Sequence, residues 1–85
     1  MTPGKTVVWA TNAQAQLAAI DRQTALGILH AIDDYLTSGV GEVKKLRPPR
    51  KELRLRVGDY RVFFLFHDPA SIEILGVKHR RDAYR

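Results

Sequence analysis

The apolar residues of this 85-residue chain change period once, near residue 44, and no other feature restricts the fold as much. Before that point Ala25, Ile28, Leu29, Ile32, Tyr35 and Leu36 recur at three- and four-residue steps, the spacing of one buried helical stripe. After it the step is two. Leu53, Leu55 and Val57 alternate with Glu52, Arg54 and Arg56, which makes one sheet face apolar and the other charged. A helical segment followed by consecutive strands is the pattern of an α+β domain.

Local signals extend this reading. Thr6 to Ala10 is a β-branched and aromatic run expected to form a first strand. Thr11 and Gln14 have capping-box spacing, and Ala13, Leu17 and Ile20 then share one helical face. Asp21 can cap a second helix, and Gly39 is placed to stop it in a left-handed conformation. Gly58-Asp59 suits a two-residue hairpin turn between Leu53–Val57 and Tyr60–His67, because glycine accepts the positive φ such turns need. Asp68 to Ser71 turns the chain again, into a last strand over Ile72–Val77, and a polar tail follows from His79 to Arg85. With no repeat, linker or low-complexity tract, residues 1–85 are expected to form a single domain. Its order is β-α-α-β-β-β: an N-terminal strand, a helical hairpin and an antiparallel three-strand meander, with the hairpin packed on one face of a mostly antiparallel sheet.

Composition narrows the function. The chain has no cysteine, so disulfides and thiolate metal sites are excluded, and a cytoplasmic location is expected. No apolar run approaches the ~20 residues that span a bilayer, and no membrane partner is expected. The net charge is +5, unevenly spread. Residues 1–43 hold two bases and four acids, whereas residues 44–85 hold twelve bases and five acids. An asymmetry of this kind suits a polyanion, and phosphate backbones are the commonest polyanions in a cell.

Alternation places Arg54 and Arg56 on one strand face, with Arg61 on the neighbouring strand and Lys78 and Arg80 at the end of the last. These side chains can converge on one concavity. The run Lys44, Lys45, Leu46, Arg47, Pro48, Pro49, Arg50, Lys51 reads as a loop that contacts phosphates without reading sequence, and Arg81 adds a further cation in the tail. His30 and His67 have no metal-ligand spacing and read as structural; neither a metal nor a cofactor is expected.

Two stretches carry a family resemblance: Leu53-Arg54-Leu55-Arg56-Val57-Gly58-Asp59-Tyr60-Arg61-Val62 and His79-Arg80-Arg81-Asp82-Ala83-Tyr84-Arg85. Together they resemble the signature segments of the RelE branch of the RelE/ParE toxins of type II toxin–antitoxin systems, and the element order agrees. The resemblance implies an mRNA interferase: an endoribonuclease that enters the ribosomal A site, cuts mRNA with the RNA 2′-hydroxyl as nucleophile, inhibits translation, and is held silent by a cognate antitoxin. By position, it implies that Arg61 contacts the scissile phosphate, Arg54 supports charge, Arg80 steadies the leaving oxygen, and Tyr84 abstracts a proton or stacks on a base. Preorganised guanidinium groups suit such chemistry because phosphodiester cleavage builds negative charge on oxygen. His79, beside Arg80, is a rival general base because imidazole titrates nearest neutrality. One departure is Glu52, where a lysine is expected. The alternatives are a ParE-like toxin that binds DNA gyrase and cleaves nothing, and a degenerate toxin that retains antitoxin binding alone.

Overall fold

Element boundaries in the computed structural model, which describes residues 6–83, follow from local chemistry. Strand β1 spans Thr6–Trp9 and helix α1 Thr11–Ala18. The expected capping box is absent. Ala10 is the residue at the helix start, extended at φ −61° and ψ 150°, and no side chain caps it. The cause is the strand before it: the Ala10 amide donates to the Ile74 carbonyl at 2.9 Å, which fixes Ala10 as the last extended residue and leaves Thr11 already helical. Gln14 instead donates from Nε2 to the Trp9 carbonyl at 3.1 Å.

Helix α2, Arg22–Ser38, begins and ends as expected. The Asp21 carboxylate accepts from the Thr24 amide at 3.0 Å, satisfying a donor that the helix itself cannot. At the other end Gly39 adopts φ 74°, and its amide donates to the Tyr35 carbonyl.

Four strands follow rather than three: β2 Glu42–Lys45, β3 Leu53–Val57, β4 Tyr60–Asp68 and β5 Ser71–His79. The extra strand, β2, takes Lys44 and Lys45 out of the expected loop. Its four residues include a single apolar side chain, Val43, so pairing with β3 and not propensity holds it extended. The sheet order is β1-β5-β4-β3-β2, with β1 parallel to β5 and every other pair antiparallel. Gly58 turns the β3–β4 hairpin at φ 57°.

The helices cover one sheet face, α1 lying along β5 and α2 over β3. Between them Ala13, Ile28, Ile32, Leu55, Val62, Phe64, Ile72, Ile74 and Val77 form the core. Phe64 is its largest member, 1% exposed and edge-on to the Tyr35 ring at 5.7 Å. Truncating a phenylalanine so placed costs about 3–5 kcal/mol. As the alternation predicts, Leu53, Leu55 and Val57 face the helices. Phe66 keeps the face expected for it, opposite Ile72 and with its ring edge-on to that of Phe64 at 5.8 Å, and is exposed at 36%.

One irregularity shapes the opposite face. Phe63 pairs with Gly76 but Phe64 pairs with Ile74, so Leu75 is the extra residue of a β-bulge. Strand β1 ends level with Ile74, and beyond it α1 completes the β5 edge with side chains. Asn12 donates from Nδ2 to the Leu75 carbonyl at 2.8 Å, and the Gln16 Oε1 accepts from the Val77 amide at 2.7 Å.

Candidate functional site

In an antiparallel ladder, residues directly opposite each other share a face. The register therefore places Arg56, Arg61 and Lys78 in one row across β3, β4 and β5, on the face away from the helices. Lys44, Arg54, Phe63 and Gly76 form the adjacent row. Of the cations expected to converge, the sheet places Arg54, Arg56, Arg61 and Lys78 on one face, whereas Arg80 lies beyond the last strand. Cations directly opposite one another destabilise a sheet, and the row carries one carboxylate at its edge: Glu42, 3.7 Å from Arg56.

Arg61 differs from its neighbours. It is 8% exposed, and its Nη1 donates to the carbonyls of Gly58 and Tyr60 at 2.9 and 3.0 Å. The guanidinium thus braces the turn of its own hairpin, and no carboxylate among the described residues pairs with it. Four of its five N–H donors lie outside that pair of carbonyl contacts if one Nη1 hydrogen is shared, and three if each carbonyl takes its own. Arg54 is half-buried beside Phe63.

Arg80 lies one residue past β5. Its amide donates to the Asp59 carbonyl at 2.7 Å and its Nε sits 3.7 Å from the Asp59 carboxylate, an exposed pair that solvent screens. His79 does not join the cations. It pairs with Tyr60, which packs against the core, and the two rings meet edge to face at 5.3 Å on the helix side. Its Nδ1 accepts from the Arg81 amide and Nε at 3.2 and 3.3 Å, which also draws Arg81 back along the tail. Tyr84 lies outside the described residues.

The basic run divides. Lys44 shares the open face with Arg54, whereas Lys45 stands opposite Leu53 on the helix side. Arg47, Arg50 and Lys51 are exposed in the connection from β2 to β3. Arg50 holds Glu52 at 3.1 Å.

Asn12, Arg50, Glu52, Phe63, Leu75, Gly76, Lys78 and Ala83 line a cleft of about 220 Å³ on the open face. Phe63, Leu75, Gly76 and Asn12 were not singled out from the sequence. The bulge that turns both Leu75 and Gly76 to this face has no sequence signature beyond the glycine itself. His67, expected to be structural, binds Glu73 at 2.7 Å. Among the described residues no group of histidines and carboxylates is arranged to hold a metal, and no helix is long and apolar enough to cross a membrane.

The fold has solved counterparts. The toxin–antitoxin complex RelBE2 from Mycobacterium tuberculosis contains a chain that is 25% identical and superposes with a TM-score of 0.76, covering 91% of this chain and 99% of that one. The RelE–RelB complex from Pyrococcus horikoshii OT3 gives 24% identity, a TM-score of 0.73, and 93% and 98% coverage. The RelB–RelE complex from Methanococcus jannaschii gives 21%, 0.72, 91% and 94%. No curated protein sequence matches the chain significantly. Residues 7–84 match the model of the ParE toxin of the type II toxin–antitoxin system parDE, and the chain therefore belongs to that toxin family, within the RelE/ParE superfamily.

Proposed function

We propose that this toxin is an mRNA interferase, a ribosome-dependent endoribonuclease whose open sheet face engages the phosphate backbone of mRNA. The observation that carries the reading is the cross-strand row Arg56–Arg61–Lys78, with Arg54 and Lys44 in the next row. Opposed cations cost the sheet stability, and a bound polyanion relieves that cost. The nucleophile in this reading is the RNA 2′-hydroxyl, which needs no cofactor. Arg61 and Arg54 stabilise the charge that builds on the phosphate, and Arg80 and Tyr84 serve the leaving group and the proton. His79, on the helix side against Tyr60, has no part in it.

A cognate antitoxin is the expected partner, by analogy with the toxin–antitoxin complexes that share the fold. An acidic segment would cover the cation row, with charge steering the encounter and apolar anchors supplying affinity.

The placement of His79 favours a second reading. With one expected base removed from the cation row, a ParE-like toxin that binds DNA gyrase without cleaving RNA fits the same surface. Toeprinting on translating ribosomes with added toxin separates the two. Codon-periodic cuts support the nuclease; intact mRNA together with gyrase-linked DNA breaks in cells supports the gyrase poison. Neither effect, and no growth arrest without antitoxin, identifies a degenerate toxin.

A further inference from the structure

We propose that the turn after β5 is held by a pH-sensitive latch: the neutral imidazole of His79 ties down Arg81, and protonation lets it go. Strand β5 ends at His79, and beyond it the chain turns once. Asp82 and Ala83 donate their amides to the His79 carbonyl at 2.8 and 3.1 Å, which closes the turn. The Arg81 amide goes to the His79 side chain instead. It donates to Nδ1 at 3.2 Å, and the Arg81 Nε donates to the same atom at 3.3 Å. A side chain that accepts from the amide two residues on is the device that aspartate, asparagine and serine supply at turns. Here a titrating ring supplies it.

Only one form of the ring can do so. Nδ1 accepts when it carries no proton, which leaves the hydrogen on Nε2 and the imidazole neutral. A second proton turns Nδ1 into a donor that faces two donors, and it sets an imidazolium against the Arg81 guanidinium. Turning the ring over gives no escape, because it brings a carbon to the place of Nδ1. Imidazole is also the side chain whose ordinary titration falls between about pH 5 and 8.

The surroundings do not oppose the change. From α1, Gln16, Ala19 and Ile20 line the hollow beside His79, and none is charged. Strand β4 contributes Tyr60, whose ring meets the imidazole edge to face at 5.3 Å. Lys78 and Asp82 complete the hollow, and Asp59 is engaged 3.7 Å from the Arg80 Nε. Asp82 is therefore the carboxylate that an imidazolium meets there. Closed, the latch draws Arg81 back along the tail. Open, it frees one cation and creates another, so acid loosens the turn and raises the positive charge at the same place.

Amide exchange measured by nuclear magnetic resonance on the isotope-labelled toxin tests this, whatever the toxin acts on. The Arg81 amide exchange rate, divided into the rate of an unstructured chain at the same pH, gives its protection. In the parent, protection is expected to fall about fivefold from about pH 8 to pH 5, in step with titration of the His79 ring. Asparagine puts an amide oxygen where Nδ1 stands and does not titrate, so His79→Asn should keep the protection across the range. His79→Ala should lack it throughout. Three results would each overturn the latch: parent protection that stays constant through the ring's titration, equal protection in the parent and His79→Ala at pH 8, or a fall in His79→Asn that matches the parent's.

Discussion

Arg61 on β4 stands directly opposite Lys78 on β5, on the sheet face away from the helices, yet the two cations differ in burial and task. Lys78 is exposed, whereas Arg61 is 8% exposed and tied to the carbonyls of Gly58 and Tyr60. One arginine thus both braces the hairpin and presents charge, so its removal has two consequences that must be measured separately.

Arg61→Ala is expected to abolish growth arrest and also to lower stability. Leaving two turn carbonyls without their charged donor costs about 1–3 kcal/mol, and each kcal/mol lowers the melting temperature of a domain this size by about 4–8 °C. Circular dichroism at 25 °C should still show a native spectrum. A folded variant that arrests growth as strongly as the parent removes Arg61 from the site.

His79→Gln provides the converse test. The ring packs on Tyr60 and accepts from Arg81, away from the cation row. Single-turnover mRNA cleavage on ribosomes is expected to fall far less than the about 10²–10⁴-fold that loss of a general base produces. A loss in that range would restore His79 to the chemistry.

The two glycines of α2 and its C-terminus should respond oppositely to alanine. Gly39 holds φ 74°, a conformation that costs an L-residue about 1–2 kcal/mol, so Gly39→Ala is expected to lower the urea midpoint. Gly27 sits inside the helix with open space where a Cβ would project, so Gly27→Ala is expected to raise stability by about 0.5–1 kcal/mol. Equal shifts of the same sign would contradict this account of the helix end.

These contrasts show which parts of the molecule sequence reasoning reaches. Asp21 and Gly39 were legible because each answers a local demand of a helix end, and the Leu53–Val57 alternation because one of its faces is buried. Strand β2 was not, since Lys44 and Lys45 are poor strand formers held by β3. Nor was the start of α1, where a backbone bond from Ala10 to Ile74, 64 residues away, overrides the Thr11 signal. The cation row followed from alternation. The cleft did not, because it depends on the Leu75 bulge and on Asn12 reaching across to bind it.

Asp21 makes stability pH-dependent in a predictable sense. Its hydrogen bonds with Thr24 hold the carboxyl below its ordinary value of 3.8. A group whose folded pKa is depressed stabilises the fold above the unfolded value and loses that contribution as pH falls through the folded one. Asp21→Asn keeps a capping oxygen but cannot titrate, so its melting temperature near neutrality should match the parent while its decline in acid is shallower. Asp21→Ala should melt lower at neutral pH. An unchanged acid decline in Asp21→Asn would show that other carboxylates dominate it.

The strongest test of the open face as a phosphate surface is the salt dependence of RNA binding. Each phosphate neutralised by a cation releases counterions, which for single strands adds about −0.7 to the slope of log K against log salt. Lys78 is exposed in the cation row, so Lys78→Ala should make the slope shallower by about that amount and weaken binding similarly for every sequence. Arg22 carries the same formal charge at the start of α2, a helix on the other side of the sheet, and Arg22→Ala should leave the slope unchanged. Loss of net charge alone would move both variants together. Parallel slopes for the parent and Lys78→Ala, or an equal effect of Arg22→Ala, would mean that RNA is drawn by overall charge and not by the row that β3, β4 and β5 align.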